Sequence, residues 1–317
     1  MVRFMILSRA PMTHPDRIQG TRVRGVWPPL LLHWHDDWSL DEQAFEHNLR
    51  HVAEQEPHGL YTLDTASEFY TLEFAEWEAI SHRFVRGCER LGVARPIGLG
   101  CTWTNQPGAL ERVRAARDLG VQTIHLSPPY WLPLNDDALC GFYAAVNEVA
   151  GHLGVIIYAP PWSGVHLTAD LYRRLVNEAP CIIGTKGPAT DHALLNAIEG
   201  HSHFAQEQRI VQASKHGAIG CYSALAGVSI PFMKAWWDMI ERDDHAAAAQ
   251  RDEAVQRFYA QGVQPVRDRG ILAGAIDKAM ARIGGQIGSR ALRPPYPAVP
   301  DDLFDQMETA ARTHILA

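Results

Sequence analysis

The sequence predicts an α/β fold, a (β/α)8 TIM barrel with a C-terminal helical extension, from three observations. Short apolar runs alternate with longer amphipathic segments from residue 25 to residue 242. Such alternation implies parallel strands joined by crossover helices. It makes eight strand–helix units, which favours a closed barrel over an open sheet. Three further helical stretches then follow the eighth unit, enough to cap a barrel.

Taken in order, the strands are expected at residues 25–34, 59–64, 96–103, 123–128, 155–160, 181–186, 203–207 and 218–223. The helices between them are expected at 41–54, 72–91, 107–119, 136–153, 168–177, 191–199, 210–216 and 230–242. Ser39 ahead of Leu40-Asp41-Glu42 reads as an N-cap with a capping-box glutamate. Gly92 and Gly120 follow helical runs, where a left-handed C-cap glycine belongs. The added helices are expected at 243–261, 267–283 and 301–315, with Arg293-Pro294-Pro295-Tyr296-Pro297 separating the last two. The expected division is an N-terminal extension at 1–24, packed on the surface or partly disordered, a barrel at 25–242 and a C-terminal helical domain at 243–317.

Composition excludes several classes. The chain is 46% hydrophobic and 21% charged, as soluble globular proteins are. Its net charge is -7 and no Lys/Arg cluster appears, so neither nucleic acid nor an anionic membrane is an expected partner. The five cysteines, Cys88, Cys101, Cys140, Cys181 and Cys221, are dispersed and include no C-x-x-C. They read as free thiols in a reducing cytoplasm. The apolar patch from Phe4 to Leu7 is too short for a signal sequence. No apolar stretch reaches membrane-spanning length.

Chemistry is expected at the C-terminal ends of the strands. Only four of the 29 basic residues are lysines, and one of them, Lys186, ends the apolar run Pro180-Cys181-Ile182-Ile183-Gly184-Thr185. Burial disfavours the ammonium form, and a neutral amine attacks carbonyls, which arginine cannot do. The other reading of this run is a lysine snorkelling out of a strand end. Tyr158 ends the neighbouring fifth strand. Its hydroxyl beside such a lysine can relay protons; otherwise it is a core tyrosine at the rim. Thr65, with the amides of Ala66 and Ser67, can hold a substrate carboxylate or simply cap a helix. Tyr130, Trp131, Trp103 and Glu207 also fall at strand ends. The pair His33 and His35 after the first strand supports a metal-dependent alternative, although no obvious further ligands end later strands. Gly284-Gly285-Gln286-Ile287-Gly288 follows a helix and lacks the strand–turn–helix setting of a phosphate loop.

These residues together resemble the dihydrodipicolinate synthase / N-acetylneuraminate lyase family of class I, pyruvate-type aldolases. The opening G-x-x-x-P-L is Gly25-Val26-Trp27-Pro28-Pro29-Leu30 here. The second strand's G-T-T-G-E-x-x-x-L is met by Asp64-Thr65-Ala66-Ser67-Glu68-Phe69-Tyr70-Thr71-Leu72. Tyr158-Ala159-Pro160-Pro161-Trp162-Ser163-Gly164 stands for Y-N-x-P-x-x-T-G, one residue shorter, and Gly184-Thr185-Lys186 for G-x-K. The resemblance implies Lys186 as the Schiff-base lysine acting on pyruvate or a related 2-oxo acid, and Tyr158 as the proton relay. It implies no metal or organic cofactor, because the lysine is itself the electron sink, and it implies a homo-oligomer, a dimer or tetramer.

The departures bear on substrate. Asp64, Ala66 and Ser67 replace Gly, Thr and Gly, so the carboxylate pocket is similar but not the same. Trp131 replaces the second tyrosine of T-P-Y-Y, and no arginine follows Tyr158, which argues against lysine-pathway synthesis. The hydratase-aldolase branch is similar in its tryptophan after the fourth strand, in the seventh-strand end at Ala205-Gln206-Glu207-Gln208 and in the tail from Arg293 to Pro300. Its amide after the fifth-strand Tyr-Ala is lost here to Pro160. Trp103, Trp131 and Trp162 are expected to line an aromatic mouth for a bulky or aromatic aldehyde, or else to pack under loops or at a subunit contact. A non-catalytic 2-oxo-acid-binding protein on the same scaffold is the remaining alternative.

Overall fold

The computed structural model describes residues 14–94, 96–187 and 192–317. Its eight strands are β1 (Gly25–Trp27), β2 (Leu60–Thr62), β3 (Ile97–Gly100), β4 (Thr123–Leu126), β5 (Gly154–Tyr158), β6 (Ile182–Lys186), β7 (Ser202–Ala205) and β8 (Gly220–Tyr222). All pair in parallel, in the order β1-β8-β7-β6-β5-β4-β3-β2. The last gap, between β1 and β2, closes through a bridge of Pro29 to Tyr61 and a bond from the Leu30 N–H to the Tyr61 carbonyl at 2.7 Å. The chain is a TIM barrel. The first strand stops well short of residue 34 because Pro28 and Pro29 have no N–H to give to a ladder.

Between the strands run α1 (Glu42–Glu54), α2 (Phe74–Arg90), α3 (Gln106–Asp118), α4 (Asp136–Ala150), α5 (Ala169–Glu178), α6 (His192–Leu195), α7 (Ile210–Ser214) and α8 (Ile230–Glu241). Their apolar faces fall at helical spacing; α2 buries Trp77, Ile80, Phe84, Val85 and Cys88. The cap of α1 is Asp41, which accepts from the Ala44 N–H at 2.9 Å, and not Ser39, whose hydroxyl bonds to Asp37 instead. The five cysteines are free and buried. Among the described residues no helix is long and apolar enough to cross a membrane.

Two apolar layers build the body. One lies between strands and helices. The other fills the barrel, with Trp27, Tyr61, Ile156, Ile183, Phe204 and Tyr222 packed together. Gly59 is required there, since a Cβ would come within 2.2 Å of the Trp27 ring. The described part of the segment before β1, residues 14–24, is more than a surface extension. Val23 joins the interior cluster, and the Ser202 hydroxyl reaches the carbonyls of Gly20 and Val23. Arg17 donates to the carbonyls of Leu153, Pro180 and Gly151 at 3.0, 3.0 and 2.7 Å. The segment therefore closes the floor of the barrel, opposite the strand ends that carry the site.

The other end is roofed by α9 (His245–Phe258), a π-helical turn at Tyr259–Val263, α10 (Gln264–Asp268), α11 (Ala273–Ile283) and α12 (Asp301–His314). α11 crosses the mouth so closely that a Cβ on Gly274 would lie 3.0 Å from the Tyr70 hydroxyl. Its anchor is Glu68, fully buried and in the left-handed region at φ 55°. Glu68 pairs with the Lys278 ammonium at 2.5 Å and accepts from the Trp34 indole at 3.1 Å and the Arg293 N–H at 2.8 Å. One carboxylate thus ties loop, roof and tail together, satisfying the buried lysine.

Candidate functional site

Lys186 ends β6 opposite Tyr158 of β5, its register partner. The side chain is only 13% exposed. Its Nζ lies 4.4, 4.9 and 5.0 Å from the ring centroids of Tyr158, Tyr61 and Tyr222, so aromatic faces wall it on three sides. A buried ammonium requires a counter-charge, and Asp64 supplies it by contacting Nζ directly.

Asp64 leaves the end of β2 fully buried. Its other oxygen accepts from the Thr65 N–H at 2.8 Å, which sets the short helical turn after the strand. Burial by itself would raise Asp64, but Lys186, His125 and its hydrogen bonds together hold it below the ordinary carboxylate value. His125 of β4 comes within 3.8 Å of Asp64, and neither ring nitrogen has a hydrogen-bond partner. Burial pushes His125 down to about 3, so the imidazole is neutral at pH 7. Burial first, then Asp64, raise the Tyr158 phenol above its ordinary value, while Thr65 draws it partly back.

A cavity of about 170 Å³ opens above Nζ. Tyr61, Thr65, Ala66, Tyr158, Glu207 and Tyr222 line it from the barrel. Tyr259, Arg267, Ile276, Asp277 and Met280 line it from the roof. Tyr259 begins the π-helical turn, a distortion that often marks functional sites. Asp277 is raised to about 7, chiefly by burial, then by Glu207, with Lys186 opposing, Asp64 adding and Arg267 opposing. A carboxyl that titrates near neutrality in a cavity is suited to proton exchange.

The expected residues divide accordingly. Lys186, Tyr158, Thr65, Ala66 and Glu207 come together around the cavity. Glu207 also receives the Leu225 N–H at 2.9 Å. Ser67 does not join them. Its N–H goes to the Asp64 carbonyl at 2.9 Å and its hydroxyl to the Leu30 carbonyl at 2.7 Å, both fully withdrawn from the cavity. Trp103 packs under the Arg112 guanidinium at 3.8 Å, away from the cavity. Trp131 is 81% exposed and lies outside it. Tyr130 sits in a rim cluster, 5.2 Å from the Trp162 ring and 6.2 Å from Phe69. Of the expected aromatic mouth only Trp162 approaches the centre, 6.0 Å from Tyr158.

Sequence reasoning assigned no role to Tyr61, Arg267 and Asp277. The alternation that turns Leu60 outward turns Tyr61 inward, so a signal existed for the first. The other two come from roof helices and carry no local mark. His33 does not reach this cavity; it lines a separate one with Asp41, His47 and Arg282, and burial lowers it to about 4. His35 lies 3.9 Å from Asp41. Among the described residues no group of three or more His, Cys, Asp or Glu gathers as metal ligands.

Comparison with known proteins agrees with this fold. The chain matches the dihydrodipicolinate synthetase family over residues 22–313. An uncharacterized DapA-like lyase of Thermococcus onnurineus is 24% identical over 307 residues, covering 92% of this chain and 99% of the relative. A 4-hydroxy-tetrahydrodipicolinate synthase of Phenylobacterium zucineum is 26% identical over 246 residues, covering 74% and 81%. Among solved structures, YagE, a prophage protein of the dihydrodipicolinic acid synthase family from E. coli K12 in complex with pyruvate, superposes with a TM-score of 0.82 at 19% identity, covering 93% of this chain and 99% of that one. The N-acetylneuraminate lyase of Fusobacterium nucleatum superposes with a TM-score of 0.79 at 15% identity, covering 92% and 99%.

Proposed function

The chain belongs to the dihydrodipicolinate synthetase family, and from that premise we propose that it is a class I aldolase or lyase working through a Schiff base on Lys186. The observation that carries the proposal is the enclosed Lys186 amine at the barrel mouth, walled by tyrosines and lining the roofed cavity. Asp64 is the group in contact to take the proton that Lys186 must lose before it attacks. Attack on a carbonyl gives a carbinolamine; loss of water, with a proton relayed by Tyr158, gives an iminium. The iminium carbon is the electron sink. Removal of a proton, or cleavage of the adjacent C–C bond, leaves an enamine, and Asp277 and Tyr158 stand on two sides of the cavity to exchange the proton.

The relatives' names and the pyruvate bound in one of them make pyruvate and other 2-oxo acids the first compounds to try. Trp162 is the one residue of the expected aromatic mouth that supports a bulky or aromatic aldehyde as the partner product. The enclosed lysine itself requires only a carbonyl. Borohydride reduction in the presence of a panel of 2-oxo acids, ketones and aldehydes, followed by peptide mass spectrometry, tests the proposal. An adduct on Lys186 that disappears in Lys186→Ala is expected; its absence with every compound sinks the Schiff-base reading. The same family membership supports a homo-oligomer of two or four subunits.

A further inference from the structure

Part of the loop expected to hold a substrate carboxylate already holds a carboxylate; Ala66, whose amide was among the expected donors, lines the cavity beside it. Of the loop's donors, the Ser67 N–H and hydroxyl are spent on the Asp64 and Leu30 carbonyls. The Thr65 N–H is spent on Asp64 Oδ1 at 2.8 Å, with the Thr65 hydroxyl 3.5 Å from the same oxygen. Asp64 Oδ2 lies against Lys186 Nζ. One internal carboxylate therefore bridges the amine and the cradle, as the carboxylate of a 2-oxo acid bound to Lys186 would have to. Asp64 has no exit to solvent, being 1% exposed.

We propose that Asp64 is a resident occupant of the anion cradle, and that the carbonyl compound joined to Lys186 is an uncharged hydroxy-ketone or hydroxy-aldehyde. The inference rests on the Schiff-base reading above and narrows its substrate. A carboxylate attached to the iminium carbon would be pressed against Asp64 in a buried site, where like charges repel strongly. A hydroxymethyl group in that place donates to Asp64 instead. The remaining walls agree. Glu207 and Asp277 offer carboxyl oxygens to the cavity, and the Tyr222 hydroxyl has no hydrogen-bond partner. Arg267 is the one cation lining the cavity besides Lys186 among the described residues, and it lies beside the Tyr259 ring at 5.4 Å. The cavity suits substrate hydroxyls better than substrate anions.

Pyruvate and hydroxyacetone form a matched pair, since they differ in carrying a carboxylate or a hydroxymethyl group beside the ketone. The protein is incubated with an equal mixture of the two and reduced with borohydride, and the two Lys186 adducts are quantified by mass. The ratio is normalised to that on Nα-acetyl-lysine, which removes the intrinsic reactivity of each ketone. The normalised ratio is expected to favour hydroxyacetone by at least about tenfold, the equivalent of about 1.4 kcal/mol. In Asp64→Asn, which keeps the shape and an acceptor for Thr65, it is expected to fall by about the same factor. A wild-type ratio of one or less overturns the substrate class and leaves the Schiff base standing. A high ratio unchanged in Asp64→Asn overturns the role of Asp64. No Lys186 adduct from either ketone overturns the Schiff-base reading and this inference with it.

Discussion

Asp277 makes the electrostatics of the cavity measurable through stability. Its carboxyl is raised from 3.8 to about 7 by burial first and then by Glu207, with Asp64 adding to the rise and Lys186 and Arg267 opposing it. Between those two values the folded protein keeps a proton that the unfolded chain has released. The folded state then binds more protons, so stability falls as pH rises through this window. Below 3.8 both states are protonated and the cost is absent. A shift of about three units corresponds to about 4 kcal/mol at full effect. Asp277 lines the cavity and is only partly buried, so about 2–4 kcal/mol is the working range once solvent screening is allowed for. Asp277→Asn removes the titration and keeps the shape. Urea unfolding of both proteins at several values between pH 4 and pH 8 cancels the titrating groups not coupled to Asp277 in the difference. The variant is expected to gain on the parent by that amount as pH rises, with most of the gain complete near neutrality. Parallel stability curves would refute the assignment of the raised carboxyl.

Two other outcomes follow from the same geometry, and a third from the family membership. Glu68→Gln leaves the Lys278 ammonium buried without its partner, so it should lose about 3–5 kcal/mol in urea unfolding, and Glu68→Gln with Lys278→Met should recover much of that; a silent single variant contradicts the tie. Tyr158→Phe should slow formation of the trappable iminium by about 10²-fold or more without abolishing it, because the amine remains and the relay is lost; rapid-quench reduction gives the rate, and an unchanged rate removes Tyr158 from the relay. Sedimentation velocity at micromolar concentration should show a dimer or tetramer, and a monomer across the concentration range would count against the oligomer that the family suggests.

Much of the fold was legible because barrel strands announce themselves locally. Val155–Ile157 and Cys181–Ile183 are apolar runs of strand length, each followed by helical periodicity. Parallel order then places Tyr158 beside Lys186 without further information. Boundaries were less legible where backbone chemistry intervened, as at Pro28 and Pro29, or where two caps competed, as at Ser39 and Asp41. The tryptophans were misleading because an aromatic residue at a strand end has the same sequence signature whether it lines a cavity, packs under Arg112 as Trp103 does, or stands in solvent as Trp131 does.

The sequence by itself determined the barrel and the end of it that carries chemistry, and it brought Lys186 and Tyr158 together there, since all of these follow from periodicity and strand order. Tertiary structure alone decided what surrounds the amine. Asp64 arrives from β2, His125 from β4 and Asp277 from α11, and their contacts close only when the barrel curls and its roof docks. Periodicity reports which way a residue faces within its own element. The electrostatic energy of a buried group is a sum over neighbours in space, and for Lys186 most of those neighbours are remote in the chain.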